Sequence, residues 1–211
     1  MFASGSAPPP SRWNCSTTKL IALALVKAAA AYRTGDRTAA AAAAQQALDA
    51  KPSDPDTVPR AWFIGGLVAA DQNDRASLGR AIAALRPSKW ADLEADRLEL
   101  QGRAAMLDGQ PAAALASFEQ AAANRQQALD YRGMTRALVL AGDACTSLDR
   151  TADAASFFLR AGRSALLQGD AATALPILKR ADELAIRSGQ TGITDEVARL
   201  RREASLRPPA R

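Results

Sequence analysis

Apolar residues recur every three to four positions through most of this chain, and the recurrence halts at short polar breaks. The breaks are Gly35-Asp36, Asn73-Asp74, Gly109-Gln110, Asp149-Arg150 and Gly169-Asp170, each standing between alanine- and leucine-rich segments of helical length. Glycine suits the residue after a helix, where the backbone turns left-handed, and the polar residue after it can cap the next helix. The pattern predicts helices over 17–33, 36–50, 57–71, 74–86, 89–108, 111–127, 129–148, 151–168, 171–188 and 192–206. Pro52 and Pro55 end the second and Pro87 the fourth, while Pro111 falls in a first turn, where its missing N–H had no partner to lose. Pro176 lies inside the ninth segment and is expected to kink it or delay its start.

The breaks are themselves spaced by 38, 36, 40 and 20 residues. The first three intervals each hold a pair of helices, and the last implies one helix shared by two overlapping repeats. Several residues recur with the pairs. Gly142, Cys145, Ala154, Phe158 and Ala161 stand in 135–168; Gly102, Ala114, Phe118 and Ala121 in 95–128; Gly162, Ala174, Leu178 and Ala181 in 155–188. Trp62 and Gly66 open 59–92, and Ala47-Leu48-Asp49-Ala50-Lys51-Pro52 closes 21–54. This arrangement resembles the tetratricopeptide repeat, a helix–turn–helix of about 34 residues with a small residue where helices cross and a bulky one beside it. Ala44 replaces the large second-helix residue in the first stretch, and the closing proline is missing from the last three. The resemblance implies an all-α fold, a right-handed α-solenoid of about five antiparallel hairpins. The domain would run over 17–190, with a flexible Ser/Pro/Gly-rich tail at 1–16, a capping helix at 191–206 and a basic tail at 207–211.

Composition agrees with thin, closely packed layers. Of the 211 residues 48% are hydrophobic but only 5% aromatic, and alanine, the best helix former, supplies much of the apolar count. The formal charge of +5 sits at the ends: Arg12 and Lys19 have no acid among the first twenty residues, and Arg199, Arg201, Arg202, Arg207 and Arg211 face only Glu203. A near-neutral body argues against a nucleic-acid surface, which needs clustered cations. The longest apolar stretch, Leu20 to Ala31, is interrupted by Lys27 and falls short of a membrane span.

The chain has no histidine, which removes Ser/His/Asp and Cys/His nucleophile systems and the commonest zinc sites. Cys15 and Cys145 have no metal or CxxC spacing; Cys145 reads as core filler, and whether the two ever pair is open. Asp92, Glu94, Asp96 and Glu99 read as a solvated helix face, and Gly65-Gly66 lacks the rest of a phosphate loop. A non-enzymatic, cofactor-free scaffold or adaptor for a protein partner is the expectation. The resemblance implies a concave groove of first helices, toward which it projects Tyr32, Arg33, Arg60, Phe63, Leu67, Glu99, Arg103, Met106, Arg136, Val139 and Asp143. Apolar contacts interrupted by arginine would suit an amphipathic segment bearing acids. Two alternatives stand beside it. One is a periplasmic lipoprotein on the outer membrane, helping assemble a secretion, pilus or outer-membrane complex, if a lipidated N-terminus has been removed; the sequence as given otherwise reads as cytoplasmic. The other is anionic polymer or membrane-surface binding through the arginine-rich C-terminus.

Overall fold

The computed structural model of the protein describes residues 15–50 and 57–206, with side chains from Lys19 to Ala50 and from Thr57 to Ser205. Residues 1–14 of the expected 1–16 tail, the expected tail at 207–211, Pro52 and Pro55, and the Cys15 side chain lie outside the described residues. Ten helices and no strand are found among the described residues. They are α1 (Cys15–Thr34), α2 (Arg37–Asp49), α3 (Thr57–Asp71), α4 (Arg75–Ala84), α5 (Ala91–Leu107), α6 (Pro111–Gln127), α7 (Tyr131–Ser147), α8 (Thr151–Leu167), α9 (Ala171–Arg187) and α10 (Thr191–Leu206). Two compact units divide the chain, one ending at Ile64 and the other beginning at Gly65.

In the first unit α1 and α2 form a hairpin. Ile21, Ala24, Ala47 and Ala61 make its small core, with Leu25 and Leu48 packed against it. Alanine at these positions lets helix axes approach closely but buries little area per side chain.

In the second unit each helix from α4 to α10 packs on the next, as in a helical-repeat array. From α5 onward the helices begin at 91, 111, 131, 151, 171 and 191, a constant step of twenty residues. The five connections between them are alike. Gly109, Leu129, Asp149, Gly169 and Gly189 all have φ between 57° and 75°. The next residue's N–H reaches back to a carbonyl five positions earlier, as from Gln110 to Ala105 at 2.8 Å and from Asp170 to Ala165 at 3.0 Å. This is the six-to-one closure of a helix ended by a left-handed residue. The glycine-centred series of breaks passes over Leu129-Asp130, where leucine takes the left-handed conformation. With that break restored α8 is not shared between repeats: every helix is one step, and a hairpin is forty residues, longer than the tetratricopeptide spacing.

Glycines set the helix–helix distance. A Cβ at Gly142 would lie 2.8 Å from Phe158 Cζ, and one at Gly162 2.6 Å from Leu178 Cγ; Gly102 faces Phe118 in the same way. Phe118, Phe158 and Leu178 are fully buried, each contributing about 1.5–3 kcal/mol by removal from water. They belong to one continuous core from Leu98 to Leu200. Cys145 is buried in that core as expected, and burial pushes its thiol pKa up, away from the thiolate. Asp36, Asp74, Asp130 and Asp170 cap α2, α4, α7 and α9, accepting N–H bonds of 2.9–3.0 Å from Ala39, Ser77, Gly133 and Thr173. Pro176 does not delay α9, which starts at Ala171. The N–H it lacks would have bonded the carbonyl of exposed Ala172, and Asp170 secures the first turn independently.

Candidate functional site

The residues with chemistry converge on α5. Asp96, Glu99 and Arg103 are spaced three and four apart, which puts them on adjacent turns of one helix face. That face is covered by α6 and α7 rather than by water. Glu99 is wholly buried and Asp96 is 6% exposed, so the expectation of a solvated acidic face is overturned for both. The physical reason is position in the stack: with helices packed along its flanks, α5 has too little outer surface to turn all its acids to solvent. Glu94 is half-buried and is paired by Arg97, whose Nε lies 3.0 Å from Glu94 Oε2.

Guanidinium groups compensate the burial. Arg136 on α7 donates from Nε to both Glu99 oxygens, at 2.8 and 3.0 Å, and from Nη2 to Oε2 at 2.8 Å. Arg103 Nη2 donates to Glu99 Oε1 at 3.3 Å, and Arg103 Nη1 lies 3.4 Å from Asp71 Oδ1 on α3. Arg125, near the end of α6, donates to Asp96 through Nη2 and to Asp130 Oδ2 through Nη1 at 2.9 Å. Arg125 Nη2 also lies 3.8 Å from Glu99 Oε2. Asp130 in turn caps α7, so one carboxylate fixes both a helix start and a buried arginine.

The two buried carboxylates respond oppositely. Burial pushes the Asp96 pKa up to about 6, against the opposing pull of Arg125, and the neighbouring Glu99 charge adds to the rise. Burial also works to raise Glu99, but Arg136, then Arg103 and Arg125, outweigh it and hold its carboxyl below the usual range. Arg136 is held above its ordinary value: burial opposes this, and Glu99 overcomes it. Asp96 therefore carries a raised pKa without the access a general acid needs, since Arg125 occupies its Oδ1 and almost none of its surface meets solvent.

Further pairs link helices one hairpin apart. Asp71–Arg103 joins α3 to α5, Glu99–Arg136 joins α5 to α7, and Asp143–Arg180 joins α7 to α9. The Arg180 guanidinium also stacks on the Phe158 ring, 4.0 Å from its centroid. These pairs form a ladder along the odd-numbered helices of the second unit.

The residues projected toward a groove fare unequally. Glu99, Arg103 and Arg136 meet directly, but their charges are engaged with one another. Asp143 is engaged by Arg180, Met106 and Val139 lie half-buried against the core, and Leu67 is buried. In the first unit Arg33 and Arg60 are exposed and Phe63 is half-buried. Tyr32 is half-buried, its carbonyl accepting from Arg37 Nη1 at 2.7 Å and its ring lying 4.2 Å beneath that guanidinium. Sequence reasoning missed Asp96, Arg125, Asp130 and Asp71 as members of the network. A signal for Arg125 was present: it continues the buried series Ala114, Phe118, Ala121 and Ala122 at helical spacing, so an arginine occupied a core position.

Fold and site together define an all-α helical-repeat arrangement whose buried charges join its helices. The sequence matches no protein-family model, and comparison with curated proteins and with solved structures finds no match. No helix among the described residues is long and apolar enough to cross a membrane.

Proposed function

We propose that the chain is a non-enzymatic adaptor, related in design to the tetratricopeptide proteins, that binds a segment of another protein along the odd-numbered helices of its second unit. The observation that carries this reading is the ion-pair ladder. Ion pairs between α3, α5, α7 and α9, buried at Glu99 and exposed at Asp143–Arg180, link successive odd-numbered helices, and a regularly spaced helical surface is what recognition of an extended or helical segment requires. The acids and arginines that sequence spacing brings together are spent on this structural task. Met106 and Val139, half-buried beside the ladder, remain as apolar contact points.

The ladder changes which variants test binding. Reversing Arg103 or Arg136 would strand the buried Glu99 charge and disturb the fold, so loss of binding there would be ambiguous. Met106 and Val139 carry no charge, so truncating them leaves the Glu99 ion pairs in place. The test is affinity purification with the full chain and identification of the bound protein, followed by titration of that purified partner against wild type, Met106→Ala and Val139→Ala. At least one variant should weaken the complex about tenfold at a temperature where both variants remain folded. Unchanged affinity in both would reject the groove. The arginine-rich C-terminus gains less support, because Arg199 is engaged by Glu196 and Glu203, its Nε 3.0 Å from Glu196 Oε2.

A further inference from the structure

We propose that the outer face of α1 is a second docking surface, and that its occupant is an acid-flanked amphipathic helix of a partner protein. Helix α1 packs on its own unit through Ile21, Ala24 and Ala28, which are buried. Its other side carries Leu20, Leu23 and Val26, exposed by 61%, 49% and 66%, within two turns of one another. Helix α10 is built the opposite way: Val197 and Leu200 face inward, and Arg199, Arg201 and Arg202 face water. Uncovered helices of repeat arrays carry polar outer faces, and on this side of α1, which no described residue covers, the face is apolar.

Charge selects the occupant. Lys19 and Lys27 bracket the apolar side chains, both exposed and without an ion-pair partner among the described residues, and α1 contains no acid. A second copy of the chain would lay lysine against lysine. An anionic bilayer would be reached by only three aliphatic side chains, and the one aromatic residue of α1 that is described, Tyr32, is stacked under Arg37. A partner helix fits better, because exposed Ala22 and Ala29 beside the stripe permit close axial approach. The lysines are eight residues apart, about 12 Å along the helix, so the occupant's acids should be two turns apart on either side of its apolar stripe.

The proposal rests on the adaptor reading only in taking protein as the occupant, and its peptide titrations do not depend on the groove. A fluorescent synthetic helix with leucines at i, i+3, i+4 and i+7 and two glutamates eight residues apart is titrated against the full chain by anisotropy. Its twin carries lysines in place of the glutamates. The glutamate peptide should bind about tenfold tighter than the twin, and Lys19→Glu with Lys27→Glu should reverse the order. Leu23→Ser with Val26→Ser should weaken binding about tenfold with an unchanged melting curve, since both side chains already meet water. Equal affinity for the twins overturns the proposal, as does binding unaltered by charge reversal. So does no peptide binding where the chain sediments with phosphatidylglycerol vesicles or dimerises through the stripe. Peptide binding that survives Met106→Ala, while a groove partner is lost, separates this surface from the first.

Discussion

Replacing Glu99 by glutamine removes one charge and almost no volume from the centre of the network. In the native protein this carboxylate takes three contacts of 2.8–3.0 Å from Arg136 and one of 3.3 Å from Arg103, and it has no exposed surface. Glutamine can accept from one of these donors but brings an NH2 group toward the others, leaving guanidinium charge facing an amide dipole. Breaking a buried pair from one side costs about 3–5 kcal/mol. The Arg136 side chain is 36% exposed, so water recovers part of its loss, and Asp96 remains for Arg125. Both effects place the expected cost at the lower end, about 3 kcal/mol, or a melting temperature lower by about 6–12 °C for a chain of this size. Urea denaturation followed by far-UV circular dichroism measures it. The double variant Glu99→Leu with Arg136→Met should recover most of the loss, because apolar side chains replace the central pair while Arg103 keeps Asp71 and Arg125 keeps Asp96 and Asp130. A Glu99→Gln protein within about 0.5 kcal/mol of wild type would refute the reasoning, as would a double variant no more stable than the single one.

Three other outcomes follow from the same geometry. The Asp96 pKa is raised to about 6 by burial, so the folded state holds its proton more tightly than the unfolded chain does. Stability should therefore rise by about 3 kcal/mol as the pH falls from about 6 to about 4. It should drop at lower pH, where Glu99, Asp74 and Asp170, all held below their ordinary values, become protonated. Denaturation midpoints across pH check this, and Asp96→Asn should abolish the rise. Gly142→Ala places a methyl 2.8 Å from a fully buried Phe158 ring and should cost about 1–3 kcal/mol, whereas Gly79→Ala, with nothing within 4 Å, should gain up to about 1 kcal/mol by helix propensity. Paired calorimetric scans distinguish the two. Leu129→Gly relieves a left-handed leucine, φ 58° and 69% exposed, and should raise stability by about 1 kcal/mol in urea titration.

The helices were legible in the sequence because their determinants are local. Alanine-rich apolar periodicity, capping aspartates at 36, 74 and 170, and glycines at 35, 109 and 169 place all ten helices, and Gly102, Gly142 and Gly162 mark where they approach closely. Two things were decided only by tertiary packing. The uniform twenty-residue step depends on Leu129, whose left-handed backbone no local preference announces; the surrounding helices impose it. The fate of the charges depends on which helix lies against which: Asp96 and Glu99 look like surface acids at helical spacing until α6 and α7 bring Arg125 and Arg136 over them. Burial then turns expected groove contacts into cross-helix links, and leaves the apolar stripe of α1 exposed. A single helix can carry two apolar faces, and only its neighbours determine which one is covered.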